Sequence, residues 1–364
     1  MNRMNILFVN SIRMFGGGEI WMLITLEGLR DRGHDVGLVC RPDTELERRA
    51  AGRGITVHPL KIMGDFNPVS ILMTRQIIRK NHYTIVLTNM DRELRFAGLA
   101  ARMAGGTAVF PRRGIDYPLK NRWQYRFAYN RLAHTIVANS EATRQALLRN
   151  APWLDGSRIR VIYNGIDPRR YQTPPDKNLR QALGIPDDVP VAGFVGQLDE
   201  RKGIHALMGA FEKVHARFPR AVLMLTGEGP MAHDIAAWSG EKGLDNVVRM
   251  TGFRKDIPEI MKILDFLVLP SLWEGFGIVL IEAMAAGRAC ITTNVSSMPE
   301  IVLDNETGIV VPADDEDALA RAMIRLLDNP DMRMRYGENG RRRVEDRFTL
   351  SRMVGEYEAL FASV

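Results

Sequence analysis

Glu274 and Glu282 stand with seven residues between them in PSLWEGFGIVLIEAMAAG (270 to 287), and what lies between is almost wholly apolar. On one continuous helix the two carboxylates would be roughly 80° apart around the axis and about 12 Å apart along it, too far to serve one small group. The stretch divides better in another way. Glu274-Gly275-Phe276-Gly277 has the composition of a loop, whereas Ile278 to Ala286 are good helix formers with Gly287 placed as a C-terminal cap. Glu274 then precedes the helix and Glu282 lies within it. The first-turn N–H groups of Gly277, Ile278 and Val279 carry the positive end of the helix dipole between the two acids. An anion site flanked by carboxylates that seek hydroxyls suits a phosphate with sugars on both sides; the alternative is two surface glutamates around a core helix.

Two further loops have chemical potential. GQLDERKG (196 to 203) follows an apolar run and places Arg201 and Lys202 just before a helix, where cations oppose the dipole and a bound anion would account for them. FGGGEIW (15 to 21) follows the first apolar run and opens a helix, so its glycines allow a close backbone approach to phosphate, although the full G-x-G-x-x-G pattern is missing.

The elements that must position these loops are short β-rich runs alternating with amphipathic stretches: NILFV, VGLVC, ITVH, TIVLT, TAVF, TIVA and IRVI up to residue 162, then VAGFV, AVLML, VVRM, FLVL, ACITT and GIVV from residue 191. Nearly continuous apolar strands separated by helices predict parallel sheets covered on both faces. DPRRYQTPPDKN (167 to 178), rich in proline and charge, reads as a linker. The expected fold class is α/β with two doubly wound Rossmann-like domains, over 1–170 and 171–345, and a C-terminal helix over 346–364 packing back on the first domain.

The chain has 364 residues, 46% hydrophobic and 25% charged, which suffices for two cores. Cys40 and Cys290 match no metal or redox spacing, none of the seven histidines has a catalytic setting, and no metal site is expected. The apolar run at the N-terminus is short for a signal peptide and no segment has the length of a membrane span, so the expected location is cytoplasmic, with room for peripheral attachment to the inner face of the membrane. Lys and Arg outnumber Asp and Glu by 27 to 14 up to residue 170, whereas beyond it they number 22 against 29. A basic first half calls for an anionic partner: a phosphorylated acceptor or an anionic membrane surface, with PRRGIDYPLKNRWQYRFAYNR (111 to 131) as the segment expected to meet it. Nucleic acid is disfavoured, because no zinc-finger spacing, RNA-recognition signature or lysine-rich tail is present.

Taken in order, GGGE (16 to 19), VANSEATR (137 to 144), VIYNGID (161 to 167), VGQLDERKG (195 to 203), TGEGP (226 to 230), TGFRKDIPEIM (251 to 261) and PSLWEGFGIVLIEAMAAG resemble family 4 of the retaining glycosyltransferases, with its E-x7-E signature. The resemblance runs from the first strand to the last helix. It implies the GT-B architecture, two Rossmann-like domains facing a cleft, and retaining, metal-independent transfer from a nucleotide sugar linked to UDP, GDP or ADP, with no separate cofactor. By that resemblance Glu282 holds the ribose, Glu274 meets the donor sugar, the backbone from Phe276 through Gly277 and Ile278 to Val279 meets sugar and diphosphate, and Lys202 binds diphosphate. Phe253 and Arg254 line the nucleobase, and Gly17 and Gly18 close on the donor from the first domain. The expected acceptor is a glycan, glycolipid or phosphorylated compound of cell-surface glycan or lipopolysaccharide synthesis.

Two positions depart from the family. Gln197 stands where an arginine is usual, which puts Arg201 forward as its replacement. Pro111-Arg112-Arg113 stands where many members carry a histidine, so Arg112 and Arg113 become acceptor-side candidates. A nicotinamide-dependent oxidoreductase is disfavoured by the spacing of GGGE and by Cys40-Arg41 at the end of the second strand. A nucleotide-sugar epimerase of GT-B architecture and a non-catalytic sugar-nucleotide binder are the nearer alternatives; intact Glu274, Glu282 and Lys202 argue against the latter.

Overall fold

The structure, a computed structural model, describes residues 3–176 and 178–364; Met1 and Asn2 of the N-terminal stretch and Lys177 of the linker stretch lie outside them. The chain forms two compact units, one of residues 1–164 and 350–364, the other of residues 165–349.

In the first unit every apolar run becomes a strand: β1 (Asn5–Val9), β2 (Asp35–Cys40), β3 (Thr56–Pro59), β4 (Ile85–Thr88), β5 (Ala108–Arg113), β6 (Ile136–Ala138) and β7 (Ile159–Val161). The order is β3-β2-β1-β4-β5-β6-β7, and all pairs are parallel. Alternate residues feed opposite faces. Leu7, Val9, Val39 and Val86 join one core, whereas Ile6, Phe8, Leu38 and Leu87 join the other. The second core also takes Met353, Val354, Tyr357 and Phe361 from the helix Leu350–Phe361. Glu358 of that helix bonds Arg32 at 2.7 Å and His34 at 3.0 Å, so His34 is a buried tie rather than a reactive group.

The second unit repeats the plan with β8 (Val191–Val195), β9 (Val222–Thr226), β10 (Val248–Gly252), β11 (Phe266–Leu269), β12 (Ala289–Thr293) and β13 (Gly308–Val311), in the parallel order β10-β9-β8-β11-β12-β13. The order reverses between β8 and β11, so the connections from these neighbours leave in opposite directions and open a crevice beyond their carboxyl ends. The loops 196–203 and 270–277 begin there.

The linker stretch is not a free tether. Its short helix Arg169–Gln172 belongs to the second unit and buries Tyr171, which moves the division six residues before the expected 170.

Gly203 joins the two switch-point loops: its φ is +69°, and a Cβ there would lie 2.0 Å from the carbonyl oxygen of Pro270. Gly203→Ala is expected to cost at least about 2 kcal/mol of unfolding free energy, measured by urea denaturation, because strain and a backbone clash add.

Candidate active site at the switch point of the second sheet

After β8 the chain makes a single turn of 3-10 helix, Glu200–Lys202, before the helix Ile204–Arg217. Asp199 caps the turn, its carboxylate accepting from Lys202 N at 3.2 Å and lying 3.3 Å from the Arg201 guanidinium. The loop after β11 is tied to it, since Leu272 N donates to Arg201 O at 2.9 Å and the Arg201 guanidinium lies over the Trp273 ring at 5.6 Å. These ties bring Lys202 Nζ onto Glu274 Oε2 as an ion pair, with both side chains nearly buried. Glu274 Oε1 accepts from Gly275 N at 3.0 Å, and Ser296 Oγ accepts from Glu274 N at 3.4 Å.

The helix Ile278–Ala285 starts directly after this loop, with Gly277 at φ +80° as its N-cap. Leu280 N makes the first bond back, to Gly277 O at 2.9 Å, so the amides of Gly277, Ile278 and Val279 precede the helical ladder. Phe276 contributes backbone only: its ring is 3% exposed and meets Phe348 edge-on at 6.2 Å, while Ser297 Oγ donates to its carbonyl at 3.0 Å. An ammonium, a carboxylate and three helix-start amides thus share the carboxyl end of β8 and β11, an arrangement able to hold a polyanion beside a hydroxyl-bearing group.

Glu282 sits one turn into the helix and accepts a hydrogen bond from the Tyr171 hydroxyl at 2.6 Å. Burial pushes its carboxyl up to about 7, and the Tyr171 hydroxyl and the Arg170 charge pull the other way. Burial and the neighbouring Glu282 raise the Tyr171 phenol, which therefore remains a donor. At the end of β10, Phe253 is 65% exposed, and Arg254 bonds Asp256 at 2.9 Å.

In the first unit, Gly17 and Gly18 open the helix Gly17–Asp31, and Glu19 fixes their loop by accepting from Gly16 N at 3.0 Å and Asn10 Nδ2 at 2.9 Å. Arg112 and Arg113, the acceptor-side candidates, have their guanidiniums turned into the fold. Arg112 is 4% exposed, lies 3.7 Å over Trp21, and donates to Asn89 Oδ1 at 2.9 Å and Asn164 Oδ1 at 3.0 Å. Arg113 donates to Asp91 at 2.9 Å and Tyr117 O at 2.7 Å. The segment 111–131 likewise buries Tyr129 and leaves Tyr117 and Trp123 outside.

Three residues of these sites were not singled out from the sequence. Tyr171 lies in the linker stretch and Ser296 in a turn after β12. Buried Glu93 accepts from Ser11 N at 2.5 Å, Asn89 N at 2.7 Å and Met90 N at 2.9 Å, stitching the loops at the switch point of the first sheet. Only the last is foreshadowed, by its place three residues after the N-cap of the helix Asp91–Ala104.

Comparison with known proteins agrees across both units. Residues 15–170 match the family model Glycosyltransferase Family 4, and residues 175–343 match Glycosyl transferases group 1. Among curated relatives, the alpha-maltose-1-phosphate synthase of Mycolicibacterium smegmatis is 30% identical over 64% of this chain and 64% of its own length. The UDP-Gal:alpha-D-GlcNAc-diphosphoundecaprenol alpha-1,3-galactosyltransferase of Escherichia coli is 24% identical over 99% of this chain and 97% of its own. The chain thus spans less than two thirds of the first relative and nearly all of the second. Among solved structures, a glycosyltransferase from Rickettsia africae superposes with TM-score 0.91 at 22% identity, covering 100% of this chain and 99% of its own. HepE of Anabaena, solved in complex with UDP, does so with TM-score 0.89 at 22% identity, covering 99% and 100%. The fold is GT-B.

The Tyr171–Glu282 bond makes a pH-dependent prediction. A carboxyl raised from 4.5 to about 7 on folding contributes stability that is fully present below its unfolded value and is lost as pH rises through about 7. Tyr171→Phe removes a donor that favours the carboxylate, so it is expected to cost about 1 to 3 kcal/mol at pH 8 and distinctly less at pH 6, read from denaturation at the two pH values.

Proposed function

We propose that this chain, a glycosyltransferase joining a Family 4 first domain to a group 1 second domain, moves a sugar from a nucleoside diphosphate to an acceptor hydroxyl with retention of configuration. The observation that carries the reading is the Lys202–Glu274 pair set against the first-turn amides of Gly277 to Val279, at the point where the second sheet reverses its strand order. When the anomeric C–O bond breaks, negative charge grows on the departing diphosphate and positive charge on the sugar. The ammonium and the amides oppose the first as fixed donors, and the Glu274 carboxylate offsets the second. An ammonium has three donors, so Lys202 can reach a phosphate oxygen without leaving Glu274. The acceptor oxygen bonds the same face of the anomeric carbon as its proton passes to the leaving phosphate.

Glu282 takes the ribose hydroxyls, and the exposed Phe253 ring with Arg254 faces the base. Diphosphate charge is met by Lys202, Arg201 and the helix start, without a metal ion or a further cofactor. UDP is the first nucleotide to test, since HepE was solved with it and the E. coli relative is named for a UDP sugar; GDP and ADP follow. That relative is also named for a diphosphate-linked lipid acceptor, and the basic first half of this chain fits an anionic glycolipid or other phosphorylated acceptor in cell-envelope glycan synthesis.

Calorimetry with UDP and steady-state transfer test the assignment. Lys202→Ala and Glu282→Ala are each expected to weaken nucleotide binding at least about tenfold, the worth of a charge-assisted hydrogen bond, whereas Glu274→Gln lowers turnover more than binding. Unchanged affinity in both alanine variants would remove Lys202 and Glu282 from the nucleotide site. A product of inverted configuration by NMR would remove the mechanism.

A further inference from the structure

The helix Pro68–Lys80 of the first unit carries apolar side chains on two faces. Inward, Ser70, Thr74 and Ile78 are buried and Ile71 and Ile77 pack against the core, while outward Val69 (51%), Leu72 (51%) and Met73 (46%) are exposed. The inward hydroxyls are satisfied locally, Ser70 Oγ donating to Asn67 Oδ1 at 3.3 Å and Thr74 Oγ1 to Ser70 O at 2.7 Å, so their burial costs little. Positions 69, 72 and 73 share one helix face, which continues through exposed Gln76 to exposed Lys80. The stripe therefore runs from apolar to cationic.

The apolar end extends beyond the helix. Met63 is 54% exposed, and Phe66, at 39%, stacks on Trp123 at 6.2 Å, which leaves Trp123 itself 70% exposed. A group of large apolar side chains of this size on a surface marks an interaction site. Its surroundings identify the partner. Between residues 61 and 80 the cations are Lys61, Arg75, Arg79 and Lys80, and the only acid, Asp65, is already held by Arg92 and Arg95. Exposed Lys120 and Arg122 flank Trp123 on its own segment. A second copy of the chain meeting this face symmetrically would set one cationic rim against another. An anionic lipid surface accepts both parts, the apolar side chains entering below the headgroups and the cations remaining among them.

We propose that the outward face of the helix Pro68–Lys80, together with Met63, Phe66 and Trp123, inserts into an anionic lipid surface and holds the first unit against it. This deepens the reading of an anionic glycolipid acceptor and rests on that reading for its purpose. The surface differs from the expected segment 111–131, of which Trp123 and its flanking cations take part.

The test is co-sedimentation of the whole chain with vesicles of phosphatidylcholine alone and of equal parts phosphatidylcholine and phosphatidylglycerol, with tryptophan emission read in parallel. The parent is expected to bind the anionic vesicles preferentially, with a blue shift as Trp123 leaves water. The double variant Leu72→Ser, Met73→Ser is expected to bind about tenfold or more weakly, because it removes inserted apolar area, with an unchanged thermal transition since both side chains are exposed. Trp123→Phe should abolish the blue shift and keep most of the sedimentation. Equal binding by the double variant and the parent would overturn the proposal, as would a parent that ignores anionic lipid. A lipid-free dimer dependent on Leu72 and Met73 would overturn it too, by giving the face to a second copy. The assay involves no turnover, so its failure leaves the transferase reading standing, and a failure to bind UDP leaves this one.

Discussion

The ion pair between Lys202 and Glu274 is the contact on which the chemistry proposed for the second unit depends. Burying two opposite charges is costly unless both are further hydrogen-bonded and held in register. The surrounding structure meets that condition: Asp199 fixes the turn that carries Lys202, Gly275 N and Ser296 Oγ fix the loop that carries Glu274, and the Leu272 to Arg201 bond locks the two loops together. Gly203 permits the approach, since any side chain there would strike Pro270 O. The pair exists because β8 and β11 are neighbours in the sheet although more than seventy residues separate them in the chain.

The first unit uses the same topology with opposite electrostatics. At its switch point lies Glu93, a buried carboxylate that gathers three backbone amides from the loops after β1 and β4 and spends them on holding those loops. Its cations divide into two sets. Arg112 and Arg113 are consumed in internal networks, whereas Lys61, Arg79, Lys80, Lys120 and Arg122 remain outside, and it is this second set that gives the basic composition a surface meaning.

What the sequence made legible follows from what is local. Each apolar run became a strand, because nearly continuous Val, Ile and Leu have no other use between helices of this length. The division of residues 270 to 287 into loop, helix and glycine cap was legible for the same reason: Gly277 and Gly287 both take positive φ. Long-range choices were not legible. The sequence marks Arg112 and Arg113 as charged but not as buried, and their burial depends on Trp21, Asn89, Asn164 and Asp91 arriving from other segments. The linker stretch shows Tyr171 among prolines and arginines with nothing to indicate that Glu282 would accept its hydrogen bond. The second, outward apolar face of the helix Pro68–Lys80 was also hidden, since with Ile71, Ile77 and Ile78 nearby nothing local says which apolar side chains face the core.

The central claim is that Lys202 and Glu274 act as one unit in sugar transfer from the donor. A double-mutant cycle with Lys202→Met and Glu274→Gln, read as kcat/KM for transfer, tests it most directly. Strong coupling is expected: the double variant transfers no more slowly than the slower single variant, because either change alone already breaks the pair. Losses that simply add would contradict it and would mean two independent contacts that happen to be neighbours.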